Sequence, residues 1–189
     1  MFDHPIIAAV RAREDIEKAC LSKARDIFLM CGELISLKHD VDMLHGRGKR
    51  VFVHPDLVKG LASDKEGIEF LAKLIGPEGI VSTKNHLIKA AKDAHLLAVQ
   101  HLFIIDTQAF NTSLRNVKEA KPDAIEIMPG LMPRVVAEFA SLVEVPILAA
   151  GLVRSIDEAK AILDAGARAV ITGKSELWAL DAFHAGPGL

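Results

Sequence analysis

The feature that most constrains this chain is a repeat of apolar runs, spaced about two dozen residues apart, each followed by an amphipathic stretch. The runs occupy 5–10, 26–31, 50–55, 79–82, 101–106, 124–129, 146–151 and 169–173. Most are nearly continuous Val, Ile, Leu and Ala, the pattern of strands buried on both faces. Between them, helical spacing predicts helices over 12–21, 34–46, 65–75, 85–94, 112–119, 132–142, 155–166 and 174–183. The segment 155–166 carries the clearest signals. Ser155 and Glu158 form a capping-box pair, Ile156, Ala159, Ile162 and Leu163 share a face, and Gly166 suits the left-handed turn after a helix.

Strictly alternating strands and helices require a parallel sheet, and eight such units predict closure into a single α/β domain over 1–189, a (β/α)8 barrel of the TIM type. An open doubly wound sheet is the alternative. It would use fewer strands, and the first turn, AAVRARED, has no glycine-rich dinucleotide fingerprint. At 189 residues the chain falls below the ~200–250 usual for a barrel, so a compact form with short loops is expected.

Composition narrows the function classes. A formal net charge of −2 announces neither a nucleic-acid nor a membrane binder, and no apolar stretch approaches the ~18–20 residues of a membrane span. Cys20 and Cys31 make no disulfide framework, and the N-terminal segment lacks signal-peptide character, so a cytoplasmic protein is expected.

In such a barrel, functional residues sit where strands end and loops converge. Those positions hold Arg11, Glu33, His54, Asp56, Ser82 to Lys84, Asp106, Thr107, Glu126, Gly130, Gly151 and Gly173 to Ser175. The last two strands each run into a glycine, Gly151 followed by Leu152 and Gly173 followed by Lys174. A backbone free of β-carbons at the seventh and eighth strand ends is the usual phosphate site of this fold, with Lys174 adding charge and Ser175 expected to cap the last helix. Tight turns would use the same glycines. The closing Gly-Lys-Ser is not a P-loop, because Arg168 stands where that cradle needs glycine.

His54 and Asp56 flank Pro55 and could form a proton-transfer pair, a ligand contact or a structural hydrogen bond. Glu126, inside a strand, must point into the barrel or toward the helices; an inward, functional-face Glu126 paired with a cation such as Lys84 or Arg11 is the expectation, and Asp106 is read in the same way. No histidine pair has metal-ligand spacing, so neither metal nor cofactor is expected; composition leaves a hydrolytic triad open, but no GxSxG elbow suggests one. Leu177 and Trp178, at helical spacing from Leu180 or Phe183, are expected in the core.

Taken together, VFVHPDLVKGL (51–61), GIVSTK (79–84), FIIDT (103–107), AIEIMPG (124–130), LAAGLVRS (148–155) and AVITGKSELW (169–178) resemble the glycerol-3-phosphate-responsive antiterminator family, over about residues 5–178. The resemblance implies a non-enzymatic regulator that binds glycerol 3-phosphate and acts on leader mRNA of glycerol-uptake genes. By position it makes His54, Asp56, Lys84, Asp106, Glu126, Gly130, Gly151, Gly173 and Lys174 candidate ligand contacts. Two departures stand out. Ala150 replaces the first of a paired glycine, which would narrow the phosphate pocket, and His101 replaces a frequent arginine, which would weaken RNA binding.

The residues themselves leave three functions open: an RNA-binding metabolite sensor, an enzyme acting on a small phosphorylated metabolite through His54, Asp56 or Glu126, and a sensor that works through a protein partner. RNA binding would need a basic patch drawn from separated residues, such as Lys38, Arg47, Lys49, Arg50 and Lys59. A homo-oligomer is compatible with every one of these readings.

Overall fold

The structure, a computed structural model, describes residues 1–180. Eight parallel strands close into a barrel: β1 (Ile6–Val10), β2 (Asp26–Leu29), β3 (Arg50–Val53), β4 (Gly79–Ser82), β5 (Leu97–Phe103), β6 (Ala124–Met128), β7 (Ile147–Ala150) and β8 (Ala169–Thr172). Closure comes from β1 against β8, with Ile7 opposite Ile171. Helices α1 (Ile16–Leu21), α2 (Leu34–His45), α3 (Lys65–Phe70), α4 (Asn85–Asp93), α5 (Thr107–Ala120), α6 (Pro133–Ala140), α7 (Ile156–Asp164) and α8 (Ser175–Trp178) alternate with the strands. A 3-10 turn at Arg13–Asp15 precedes α1, and a π turn at Leu71–Ile75 extends α3, so the helical segments expected there are each broken in two.

Two cores follow from the alternation of side chains across each strand. The outer core packs Ile6, Ala8, Val10, Ile27, Leu29, Val51 and Val53 against the helices. Inside the barrel lie Ile7, Ala9, Phe28, Phe52, Val81, Val99, Leu148, Ala150 and Ile171. The bottom of the barrel is plugged by Phe2, whose ring centroid lies 5.2 Å from that of Phe52 and 6.4 Å from that of Phe28. Arg50 closes the same end, donating to Asp26 at 2.6 Å with its guanidinium over the Phe2 and Phe52 rings. Burial raises the Asp26 carboxyl above its ordinary range despite that partner.

The capping box of α7 is present, and Gly166 adopts φ +102° after it. The fifth strand differs from the sequence reading. It starts at Leu97 and ends at Phe103, while Ile104 and Ile105 belong to the following loop. Consequently α5 begins at Thr107, five residues earlier than expected. Leu177 and Trp178 are buried, and Trp178 Nε1 donates to the Thr172 carbonyl at 2.7 Å, fastening α8 to the end of β8. Residues 181–183 of the last expected helix, including Phe183, lie outside the described residues. No described helix is long and apolar enough to cross a membrane.

Candidate functional site

At the C-terminal mouth, a cavity of about 330 Å³ opens between the ends of β7, β8 and β1. Its wall is built by two loops, Gly151 to Arg154 after β7 and Thr172 to Lys174 at the end of β8, with Arg11 after β1 and Glu126 and Met128 from β6. Gly151 and Leu152 both take left-handed backbone, φ +84° and +64°. For Leu152 that conformation is strained, and its side chain stays exposed. Thr172 ties the two loops together, since its Oγ1 donates to the Val153 carbonyl at 3.2 Å and accepts from the Lys174 N–H at 3.1 Å.

The two site glycines are glycine for different reasons. At Gly151 a Cβ would meet Met128 Cγ at 2.9 Å, so fold alone requires the residue. Gly173 has no left-handed φ, and its nearest neighbour would be the Ala9 carbonyl at an ordinary 3.8 Å. Among the described residues nothing forbids a side chain there. Gly130 is a packing glycine: it is buried outside the cavity, and its Cβ would lie 3.0 Å from the Ala150 backbone nitrogen and oxygen.

The rim is cationic. Arg11, Arg154 and Lys174 line the cavity, and among the described residues none of the three side chains makes a hydrogen bond or ion pair. The sequence reading included Arg11 and Lys174 but missed Arg154 and Thr172. Arg154 was legible as a cation three residues past Gly151. Ser175 does not cap α8, because Lys174 occupies the N-cap position and no side-chain capping bond forms there.

A second polar group stands across the mouth, on the β3 and β4 side. Lys84 Nζ pairs with Asp56 Oδ1, Ser63 Oγ donates to the same oxygen at 2.7 Å, and Ser82 Oγ lies 3.4 Å from Oδ2. Burial works against the Asp56 charge, but the Lys84 and Ser63 hydrogen bonds outweigh it and hold the carboxyl below its usual range. His54 Nδ1 sits 3.9 Å from Asp56, too far for a hydrogen bond. Burial, with the nearby His101, depresses the His54 imidazole.

Glu126 therefore finds neither Lys84 nor Arg11 as its partner. It is paired with His101, whose Nδ1 lies 3.0 Å from Glu126 Oε2, both side chains being buried in the barrel. The contact is not aligned as a hydrogen bond, and both carboxylate oxygens and both imidazole nitrogens lack one. His101 is thus an interior group beside the cavity floor, not a surface position where an arginine would face RNA. Asp106 does not point into the barrel either: it is the N-cap of α5, accepting from the Ala109 N–H at 2.7 Å.

The separated basic residues do not assemble an open patch. Lys38 pairs with Asp42, Lys59 with Glu33 at 3.5 Å, and Arg50 with Asp26. Lys49 is buried and donates to the Ser22 and Ala24 carbonyls. Arg47 is exposed. Among the described residues, no group of three or more His, Cys, Asp or Glu is arranged to hold a metal.

The fold and the cavity define a (β/α)8 barrel whose mouth holds a cavity rimmed by Arg11, Arg154 and Lys174. Residues 6–178 match the glycerol-3-phosphate responsive antiterminator family, and the chain belongs to that family. It is similar to the glycerol uptake operon antiterminator regulatory protein from Listeria monocytogenes, with 34% identity, 93% of this chain and 95% of that chain covered, and a TM-score of 0.90. A glycerol uptake operon antiterminator-related protein from Thermotoga maritima superposes with a TM-score of 0.85 at 31% identity, over 95% of this chain and 100% of that one. The uncharacterized protein YgcP of Escherichia coli K12 is 32% identical over 177 residues, 94% of this chain and 93% of that protein.

Proposed function

We infer that this barrel is a metabolite-responsive regulator that binds glycerol 3-phosphate and, when loaded, acts on the leader mRNA of glycerol-uptake genes. The observation that carries the ligand is the cavity between the β7 and β8 loops, where Arg11, Arg154 and Lys174 surround backbone kept free of side chains by Gly151 and Gly173. Unpaired cations around a strand-end glycine loop attract a phosphate and leave its oxygens open to main-chain N–H groups. Ala150 lines the cavity, so its methyl group shapes the wall beside the phosphate.

The mRNA half of the reading rests on the family and on its glycerol-uptake relatives. Titration of labelled leader RNA with and without glycerol 3-phosphate, at stated salt, tests it, since RNA contacts to cations weaken as salt rises. Ligand-dependent binding is expected. A second reading, an enzyme acting on a phosphorylated metabolite, is favoured by the buried His54, His101 and Glu126, whose His54 Nδ1, both His101 nitrogens and both Glu126 oxygens make no hydrogen bond among the described residues. Ligand binding with no RNA binding in either arm would favour that reading, or a protein partner, over the regulator of mRNA.

A further inference from the structure

Beneath its cationic rim the cavity ends on an acidic floor. Glu126 lines it, is fully buried, and has neither carboxylate oxygen in a hydrogen bond among the described residues. Apart from His101 at 3.0 Å, the polar company is sparse: Ala9, Met30, Met128, Ala150 and Ile171, which line the same cavity, are apolar or sulfur-bearing. Of the floor residues, Glu126 alone offers strong acceptors to whatever enters. A buried carboxylate that makes no hydrogen bond is costly, and a ligand that donates to it relieves that cost.

We propose that Glu126 reads the end of the ligand opposite the phosphate and requires hydroxyl donors there, so that the site takes phosphorylated polyols and rejects phosphates whose other end is aliphatic or acidic. This rests on the reading of the rim as a phosphate site. A carboxylate only accepts, so it is satisfied by an alcohol O–H and by nothing an alkyl chain carries. A second carboxylate meets like charge inside a largely apolar floor. Sites built to hydrogen-bond a hydroxyl discriminate against analogues lacking it far more strongly than an apolar pocket separates one methylene from none. His101 Nδ1 lies 3.0 Å from Oε2 without an aligned hydrogen bond, so both carboxylate oxygens are left to accept from a ligand.

Calorimetric titration of the wild-type protein and of Glu126→Gln with glycerol 3-phosphate, propyl phosphate, 3-phosphoglycerate and inorganic phosphate tests the proposal. Wild type is expected to bind glycerol 3-phosphate at least about tenfold more tightly than propyl phosphate or 3-phosphoglycerate. In Glu126→Gln, which keeps an acceptor but loses the charge, the gap to 3-phosphoglycerate is expected to close. Equal binding of glycerol 3-phosphate and propyl phosphate by wild type overturns the role of Glu126, and needs no variant to be folded. An unchanged preference against 3-phosphoglycerate in a folded Glu126→Gln overturns it as well. If none of the four compounds binds, inorganic phosphate included, the phosphate site itself fails.

Discussion

His101 Nδ1 lies 3.0 Å from Glu126 Oε2 inside the barrel, on neighbouring strands where the two residues stand directly opposite. Both side chains are buried, and among the described residues neither ring nitrogen nor carboxylate oxygen makes a hydrogen bond. Taking one partner from such a pair strands the other without water, which generally costs more than replacing both by apolar groups. His101→Leu is expected to destabilise the fold by about 3–5 kcal/mol, and the double variant His101→Leu/Glu126→Leu by less than that single change. Urea unfolding of the two variants checks the order. A double variant less stable than His101→Leu would show that the two groups do not rely on each other.

The barrel plug gives a prediction remote from the site. Phe2 is fully buried against Phe28 and Phe52, and its carbonyl accepts from Arg168 Nε at 2.9 Å. Phe2→Ala is expected to cost about 3–5 kcal/mol of unfolding free energy while leaving ligand affinity unchanged, because the cavity lies at the other end of the barrel. A denaturation midpoint equal to that of wild type would mean that the N-terminus does not plug the barrel.

Stability should depend on pH through His54. Its imidazole is depressed below 6.5 by burial and by His101, with Asp56 and Glu126 pulling the other way. As pH falls through 6.5 the unfolded chain takes up a proton that the folded protein still refuses, so stability declines below that pH until the lowered folded value is passed. Asp56, held below 3.8, contributes a loss only under that value. Denaturation midpoints at pH 7.5 and 5.5 should therefore differ, and His54→Asn should shrink the difference. The same difference in His54→Asn as in wild type would assign the slope to another group.

The barrel was legible because its signal is repetitive: eight apolar runs with helices between them need few alternatives, and β1, β2, β3, β7 and β8 lie within the runs that mark them. The fifth run misled for a physical reason. Its apolar stretch continues past the strand into Ile104 and Ile105, the latter 80% exposed, while the true strand carries Gln100 and His101 in its middle. Those polar residues are tolerated because each has an opposite-facing partner. Gln100 Nε2 donates to Asn85 Oδ1 on the α4 side, and His101 meets Glu126 within the barrel. Such pairings are made by topology and leave no local trace.

For the same reason the site was only partly legible. Of the candidates, Arg11, Glu126, Gly151, Leu152, Gly173 and Lys174 line the cavity, His54, Asp56 and Lys84 stand across the mouth, and Asp106, Gly130 and Ser175 belong to neither group. Strand-end position sufficed to select both. Which acid meets which base depended on geometry, and Lys84 turns to Asp56 because the β3 and β4 ends are adjacent.

The two glycines separate fold from function. Gly151→Ala should destabilise by about 1–3 kcal/mol, because its φ of +84° disfavours a side chain and Met128 would have to move. Unfolding by urea is the check, and an unchanged midpoint would mean that Met128 yields freely and the turn relaxes.

Gly173→Ala is the most direct test of the phosphate site. No left-handed φ and, among the described residues, no close neighbour oppose the added methyl group, so unfolding free energy should stay within about 0.5 kcal/mol of wild type. Calorimetric titration with glycerol 3-phosphate should show micromolar to millimolar affinity for wild type and at least about tenfold weaker binding for Gly173→Ala, since the methyl group occupies space that the phosphate needs. A wild-type protein that binds no glycerol 3-phosphate, or a Gly173→Ala variant that binds it equally well, would contradict the assignment of the β7 and β8 loops as its site.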